Sequence, residues 1–164
     1  PQKVIYCYGE YQPGFDKYPW VEFHEGLPKS EMFDGTPTLV VIDDLMNETN
    51  DTVARLFTKI SYHRSVSVIY ITQNVFHKNK QSRTISLNTH YMVLFKSPRD
   101  AGQIAVLGRQ LYPEHSKFLV EVFKDATSTP HSYLLLDLRP DSGANYRVRT
   151  SIFLGDQQIV YNPK

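Results

Sequence analysis

Thr36-Pro-Thr-Leu-Val-Val-Ile-Asp43-Asp44 is the stretch whose reading decides the fold. Four apolar residues, Leu39 to Ile42, three of them β-branched, run straight into two adjacent carboxylates. A run that is apolar on both faces has the pattern of a strand buried on both sides of a parallel sheet. An unpaired charge within such a strand is costly to desolvate. The two acids therefore belong at the strand's end, on the carboxyl edge of the sheet, where α/β proteins place ligands. Two carboxylates there suit a hydrated Mg²⁺, which proteins hold through one or two carboxylates together with substrate phosphates. The plainer reading is that Asp43 ends the strand and Asp44 opens a loop.

Downstream, Thr49, Asn50 and Asp51 are all good helix N-cap residues. None has Glu or Gln three residues later, so no capping box fixes the start. Val53, Leu56, Phe57 and Ile60 recur at helical spacing and predict one apolar helix face ending near Tyr62-His63-Arg64. Ser67 to Thr72 is a second β-prone run, and it too ends in polar groups, Gln73 and Asn74. Strand, helix and strand make a βαβ unit, whose crossover is almost always right-handed. Asp43, Asp44, Gln73 and Asn74 are thus expected at one sheet edge, with a loop-capping role for Gln73 as the alternative.

His77 to Arg83 reads as a polar, basic loop, either solvated or in contact with phosphates. Tyr91–Phe95 and Tyr133–Leu138 read as two further strands of buried type. Between them Ala101, Ile104, Leu107 and Leu111 fit a helix face weakened by Gly102 and Gly108. After Pro113, residues Phe118, Leu119, Val122, Phe123 and Ala126 fit a second helix. Arg147–Phe153 alternates and predicts a half-exposed antiparallel edge strand, its two arginines protecting the edge. Ile159–Tyr161 is a candidate for one more edge strand. Upstream, Val4–Tyr8 reads as strand, Trp20–His24 as a short strand, and 26–37 mostly as loop.

The expected fold is α/β: a mainly parallel sheet with flanking helices, in one domain spanning 1–164. At 164 residues, 41% hydrophobic and 21% charged, the chain is long and apolar enough for a real core and is not of disordered type. A net charge of +1 excludes a global basic field, so any nucleic-acid contact must come from local patches. The single cysteine, Cys7, excludes a disulfide framework. No apolar run approaches a membrane span, and no signal-peptide pattern is present. The abrupt start on a strand is expected of a chain whose beginning lies elsewhere.

Leu39-Val-Val-Ile-Asp-Asp-Leu-Met-Asn-Glu-Thr49 looks like a Walker B segment, and Tyr62 to Asn74 resembles a sensor strand. With Arg83 to Asp100 and Tyr133 to Asp141, in this order and spacing, the chain resembles the genome-packaging ATPases of large DNA viruses and of Polinton/Maverick elements. These belong to the FtsK–HerA branch of P-loop NTPases, with a RecA/ASCE-type fold. The resemblance covers about Val4 to Tyr161. It implies Asp43 as the carboxylate that holds Mg²⁺ through its waters. It implies Asp44 as the acid that polarises the attacking water, with Glu48 in reserve because successive strand residues point to opposite faces. It implies Gln73 as the sensor of the γ-phosphate, assisted by Asn74, and Arg64 as an arginine finger acting in trans, with Arg99 and Arg109 as rivals. Lys78, Lys80 and Arg83 become channel-facing DNA contacts.

The resemblance also implies ATP and Mg²⁺ as ligands, double-stranded DNA as partner, and a homo-oligomeric ring. A capsid portal or vertex and a place in host cytoplasm, nucleus or virion follow in the same way. One departure stands out. The G-x-x-x-x-G-K-[ST] phosphate cradle is absent from these 164 residues. Gly9 to Gly14 is followed by Phe15-Asp16, and in Gly26-Leu-Pro-Lys29-Ser30 a proline stands where the second glycine is needed. The chain thus reads as the C-terminal portion of such an ATPase, incomplete at the N-terminus, that binds ATP poorly and does not hydrolyse it. Two other readings remain: a non-catalytic DNA-binding or interaction remnant, and a metal-dependent nuclease using Asp43, Asp44 and Glu48.

Overall fold

The structure, a computed structural model, describes residues 1–43, 45, 51–61, 64–73, 80–97, 101–153 and 155–164. Lys80 and Ala101 are described by their backbone alone. The chain divides into two compact units, Pro1–Asn88 and Thr89–Lys164. The architecture is α/β, with a parallel four-stranded sheet in the first unit and an antiparallel four-stranded sheet in the second.

In the first unit β1 (Lys3–Tyr8), β2 (Val21–Glu25), β3 (Thr38–Asp43) and β4 (Val66–Ile71) stand in the order β2-β1-β3-β4, all parallel. The deciding stretch is a strand, as its β-branched run predicts. Thr38, Val40 and Ile42 are buried, whereas Leu39, Val41 and Asp43 are half-buried. Only one face of β3 is therefore sealed, not both. That face meets α1 (Asp51–Arg55), which continues as a π-helical stretch through Leu56–Ile60. Val53 and Leu56, two of the predicted apolar stripe, are fully buried with Ile5, Cys7, Val40 and Ile42. A second helix, α2 (Lys80–Leu87), packs on α1 and adds Ile85 to this core. Residues 80–83 were expected in a loop. They form a helix because one buried isoleucine and contact with α1 suffice where the pattern shows no apolar stripe.

In the second unit β5 (Tyr91–Phe95), β6 (Tyr133–Asp137), β7 (Val148–Arg149) and β8 (Val160–Tyr161) pair antiparallel in that order. The helices α3 (Ala101–Leu111) and α4 (Phe118–Ala126) lie between β5 and β6 in the chain. Each helix reverses the chain's direction. A pair of them returns the next strand antiparallel, where a single crossover helix would return it parallel. β5 and β6 are thus not additions to a parallel sheet. β6 is central and buried from Leu134 to Asp137, but β5 exposes Tyr91, Val93 and Phe95 and buries only Met92 and Leu94.

α3 packs on α4, and α4 on β6. Gly108 lies at the α3–α4 contact, where an added Cβ would come 3.0 Å from the Ser116 carbonyl and 3.2 Å from Leu119 Cβ. The predicted edge strand over Arg147–Phe153 shrinks to Val148–Arg149, because Ser151 takes a left-handed backbone (φ 55°) that ends the extended run. β8 is held to α4 by the Tyr161 hydroxyl, which donates to Asp125 Oδ2 at 2.6 Å.

Candidate functional site at the carboxyl edge of the parallel sheet

The strand order of the first unit fixes where a site belongs. β1 is followed by β2 on one side, after which the chain passes to β3 on the other side of β1. The order reverses between β1 and β3, and a parallel sheet opens a crevice at the carboxyl ends of two strands so placed. Tyr8 and Asp43 are the paired last residues of those two strands, and Asp43 is also paired with Ile71, the last residue of β4. Gln73 follows two residues beyond that end. Asp43 and Gln73 are thereby brought to one edge, as the βαβ reading expects.

Asp43 is anchored. Tyr6 lies two residues before the end of β1, on the same face as Tyr8, and its hydroxyl donates to Asp43 Oδ2 at 2.5 Å. Burial, then the hydrogen bond and the charge of Asp43, push the Tyr6 phenol up to about 12, so it stays a donor across the neutral range. The Tyr6 ring is itself fixed, 5.7 Å from the Phe15 ring and 5.7 Å from the Phe23 ring. Phe15 stacks on Phe23 at 4.1 Å and touches Tyr8 and Tyr11, which gives this edge an aromatic wall. Sequence reasoning missed Tyr6. The only signal was its alternation with Tyr8 and Cys7 in β1, and the β1–β3 register that brings it to Asp43 is not written in either segment alone.

Asp44, Glu48, Asn74, Lys78 and Arg99 lie outside the described residues. Arg64 sits just before β4, at the amino edge of the sheet and thus at the opposite end from Asp43. Its guanidinium donates to the carbonyls of Phe33 at 2.7 Å and Ser30 at 3.3 Å. Arg83 is exposed on α2, where the Lys80 backbone begins the helix. Arg109 is exposed on α3, in the second unit.

Neither glycine-bearing stretch builds a phosphate cradle. Gly9 to Gly14 does follow a strand at the right edge, but it leads into a single 3-10 turn, Phe15–Lys17, with no helix N-terminus for a phosphate to face. Lys29 and Ser30 enter another short turn, Ser30–Met32. The donor set on view fits a Mg²⁺ held by one carboxylate and otherwise by water and phosphate oxygens: Asp43 keeps Oδ1 outside its bond to Tyr6. Among the described residues no group of three or more His, Cys, Asp and Glu side chains is placed to hold a metal by protein ligands alone.

Among the described residues the second unit has one buried acid. Asp137 ends β6, is 2% exposed, and accepts from Arg139 Nε at 3.2 Å and from Arg149 Nη2 at 3.1 Å. Burial alone would raise its pKa; the hydrogen bonds from Ser142, Arg139 and Arg149 outweigh it and hold the carboxyl well below the usual range. Arg139 also lies 5.2 Å over the Tyr91 ring. Every charge here has a partner, so the cluster reads as a structural lock.

Among the described residues no helix is long and apolar enough to cross a membrane. No family model, curated protein or solved structure matches the chain.

Proposed function

We propose that this chain is part of an ATP-driven DNA translocase of the kind that packages viral or mobile-element genomes, with Asp43 as its Mg²⁺-binding carboxylate. The observation that supports this reading is the position of Asp43: the carboxyl end of β3, at the reversal of strand order, with Gln73 beyond the end of the neighbouring strand. In phosphoryl transfer the protein contributes positioning and charge stabilisation more than covalent chemistry. Asp43 would fix Mg²⁺ through its waters, and the ion would offset the charge of the phosphate oxygens. Gln73 would hydrogen-bond a terminal phosphate oxygen. Asp44 or Glu48 would orient the attacking water, and Lys78, Lys80 and Arg83 would neutralise DNA phosphates.

The two glycine-bearing stretches enter short turns and not a phosphate-facing helix, which supports a second reading, a non-catalytic DNA-binding or interaction relative that keeps the sheet and the basic stretch. Titration with Mn²⁺, followed by electron paramagnetic resonance, tests the site common to both. The expected result is weak, saturable binding that Asp43→Asn abolishes. Binding that survives Asp43→Asn removes Asp43 from the metal and the proposal with it. ATP hydrolysis assays on the same preparation separate the two readings. Turnover dependent on Mg²⁺ favours the motor and refutes the expectation that this chain is inactive alone.

A further inference from the structure

Asp43 is a poor ligand if its carboxylate is free to turn. A half-buried aspartate at a strand end has several accessible rotamers, and a metal that binds only one of them loses affinity in proportion to the population of the others. The Tyr6 hydroxyl removes that freedom. It reaches Asp43 Oδ2 from the adjacent strand at 2.5 Å. The ring that carries the hydroxyl is packed against Phe15 and Phe23, so the donor is itself held. Oδ2 is committed to the protein, and Oδ1 is outside that bond.

We infer that Tyr6 is a positioning residue, which locks the Asp43 carboxylate in one orientation so that a single oxygen is presented to a divalent cation at the carboxyl edge. The inference rests on the reading of Asp43 as the metal carboxylate and adds a residue that the sequence resemblance does not supply. It follows the general design of metal sites, in which partners of the ligands fix ligand orientation and their loss costs roughly tenfold to a hundredfold in affinity.

Tyr6→Phe is the discriminating variant, because it keeps the ring contacts with Phe15 and Phe23 and deletes only the donor. Two readouts are needed. The first, without metal, is the Asp43 side-chain rotamer, from three-bond couplings in a ¹³C,¹⁵N-labelled chain, alongside the thermal midpoint. The second is Mn²⁺ affinity, with Asp43→Asn as reference. The expected result is one rotamer in the parent, averaged couplings in Tyr6→Phe, and about tenfold weaker Mn²⁺ binding in a variant that still unfolds cooperatively.

An unchanged Asp43 rotamer in Tyr6→Phe overturns the inference. So does unchanged Mn²⁺ affinity while Asp43→Asn abolishes binding, a result that leaves the metal reading standing. A parent chain with a fixed Asp43 rotamer and no Mn²⁺ binding overturns the metal reading, and the role of Tyr6 toward a cation falls with it. A variant that fails to fold is replaced by Phe15→Leu, which loosens the ring but keeps the hydroxyl. There Mn²⁺ affinity must fall together with rotamer order, and a fall in one without the other refutes the mechanism.

Discussion

Arg149 of β7 donates to Asp137 of the adjacent strand β6 at 3.1 Å, and a second contact, to the Tyr146 carbonyl, holds the same guanidinium in place. An arginine expected to guard a sheet edge instead neutralises a buried carboxylate.

Removing the acid leaves two arginines facing each other over a space built for a negative charge. Asp137→Ala is therefore expected to destabilise the second unit by about 3 kcal/mol, at the lower end for a broken buried ion pair because Arg139 reaches solvent. Urea unfolding of parent and variant measures it. The pH dependence has a definite sign. The Asp137 pKa is lowered in the folded state, so its contribution is fully present above the unfolded value of about 3.9 and is lost as pH falls below it. The unfolding midpoint should hold steady from neutral pH to about pH 5 and then drop, and Asp137→Asn should start lower and drop less.

At Gly108 the helix propensity of alanine favours substitution by about 1 kcal/mol. The contact opposes it: both nearest atoms, the Ser116 carbonyl and Leu119 Cβ, are fixed by α4 and the turn before it. Relieving that overlap costs roughly 1–3 kcal/mol. Gly108→Ala is expected to lose about 1 kcal/mol net of unfolding free energy, measured by urea denaturation, where an exposed helical glycine such as Gly102 would gain from the same change.

Cys7 is fully buried in β1, and burial, helped by the charge of Glu22, pushes its thiol up to about 12. Its thiolate fraction near neutral pH is on the order of a thousandfold below that of a free cysteine. Ellman's reagent should leave the folded chain unmodified and titrate one thiol per chain once urea unfolds it. Rapid modification under native conditions would mean that β1 is not held in the sheet as described.

For the basic stretch, Lys78, Lys80 and Arg83 replaced together by alanine should weaken binding to duplex DNA and reduce the slope of log affinity against log salt by up to about 2.7, if all three contact phosphates. Fluorescence anisotropy across a salt series gives both quantities. An unchanged slope removes these residues from the interface.

The parallel sheet was legible because its signals are local. The β-branched run of β3, the stripe of Val53 and Leu56, and the apolar run of β4 each lie within a few residues. The two helices between β5 and β6 were equally legible. Strand direction was not, because the sign of the pairing depends on both helices together: the apolar runs suit a mainly parallel sheet, and β5 and β6 form an antiparallel one. α2 was invisible because its stability comes from contact with α1 and not from its own periodicity. Asp43 could be placed at a sheet edge from its own segment. The partners of Asp43 and Asp137 could not, because Tyr6 and Arg149 reach them through strand registers that no single segment encodes.

Tyr6 and Asp43 are 37 residues apart in the chain and meet only when β1 zips onto β3. Loop-closure entropy must be spent on that pairing before the contacts between the two strands return anything. Until β1 pairs with β3, Asp43 lacks its anchor. The candidate site therefore forms no earlier than the pairing of β1 with β3, and an ordered Asp43 carboxylate in a refolding experiment should appear together with that pairing and not before it.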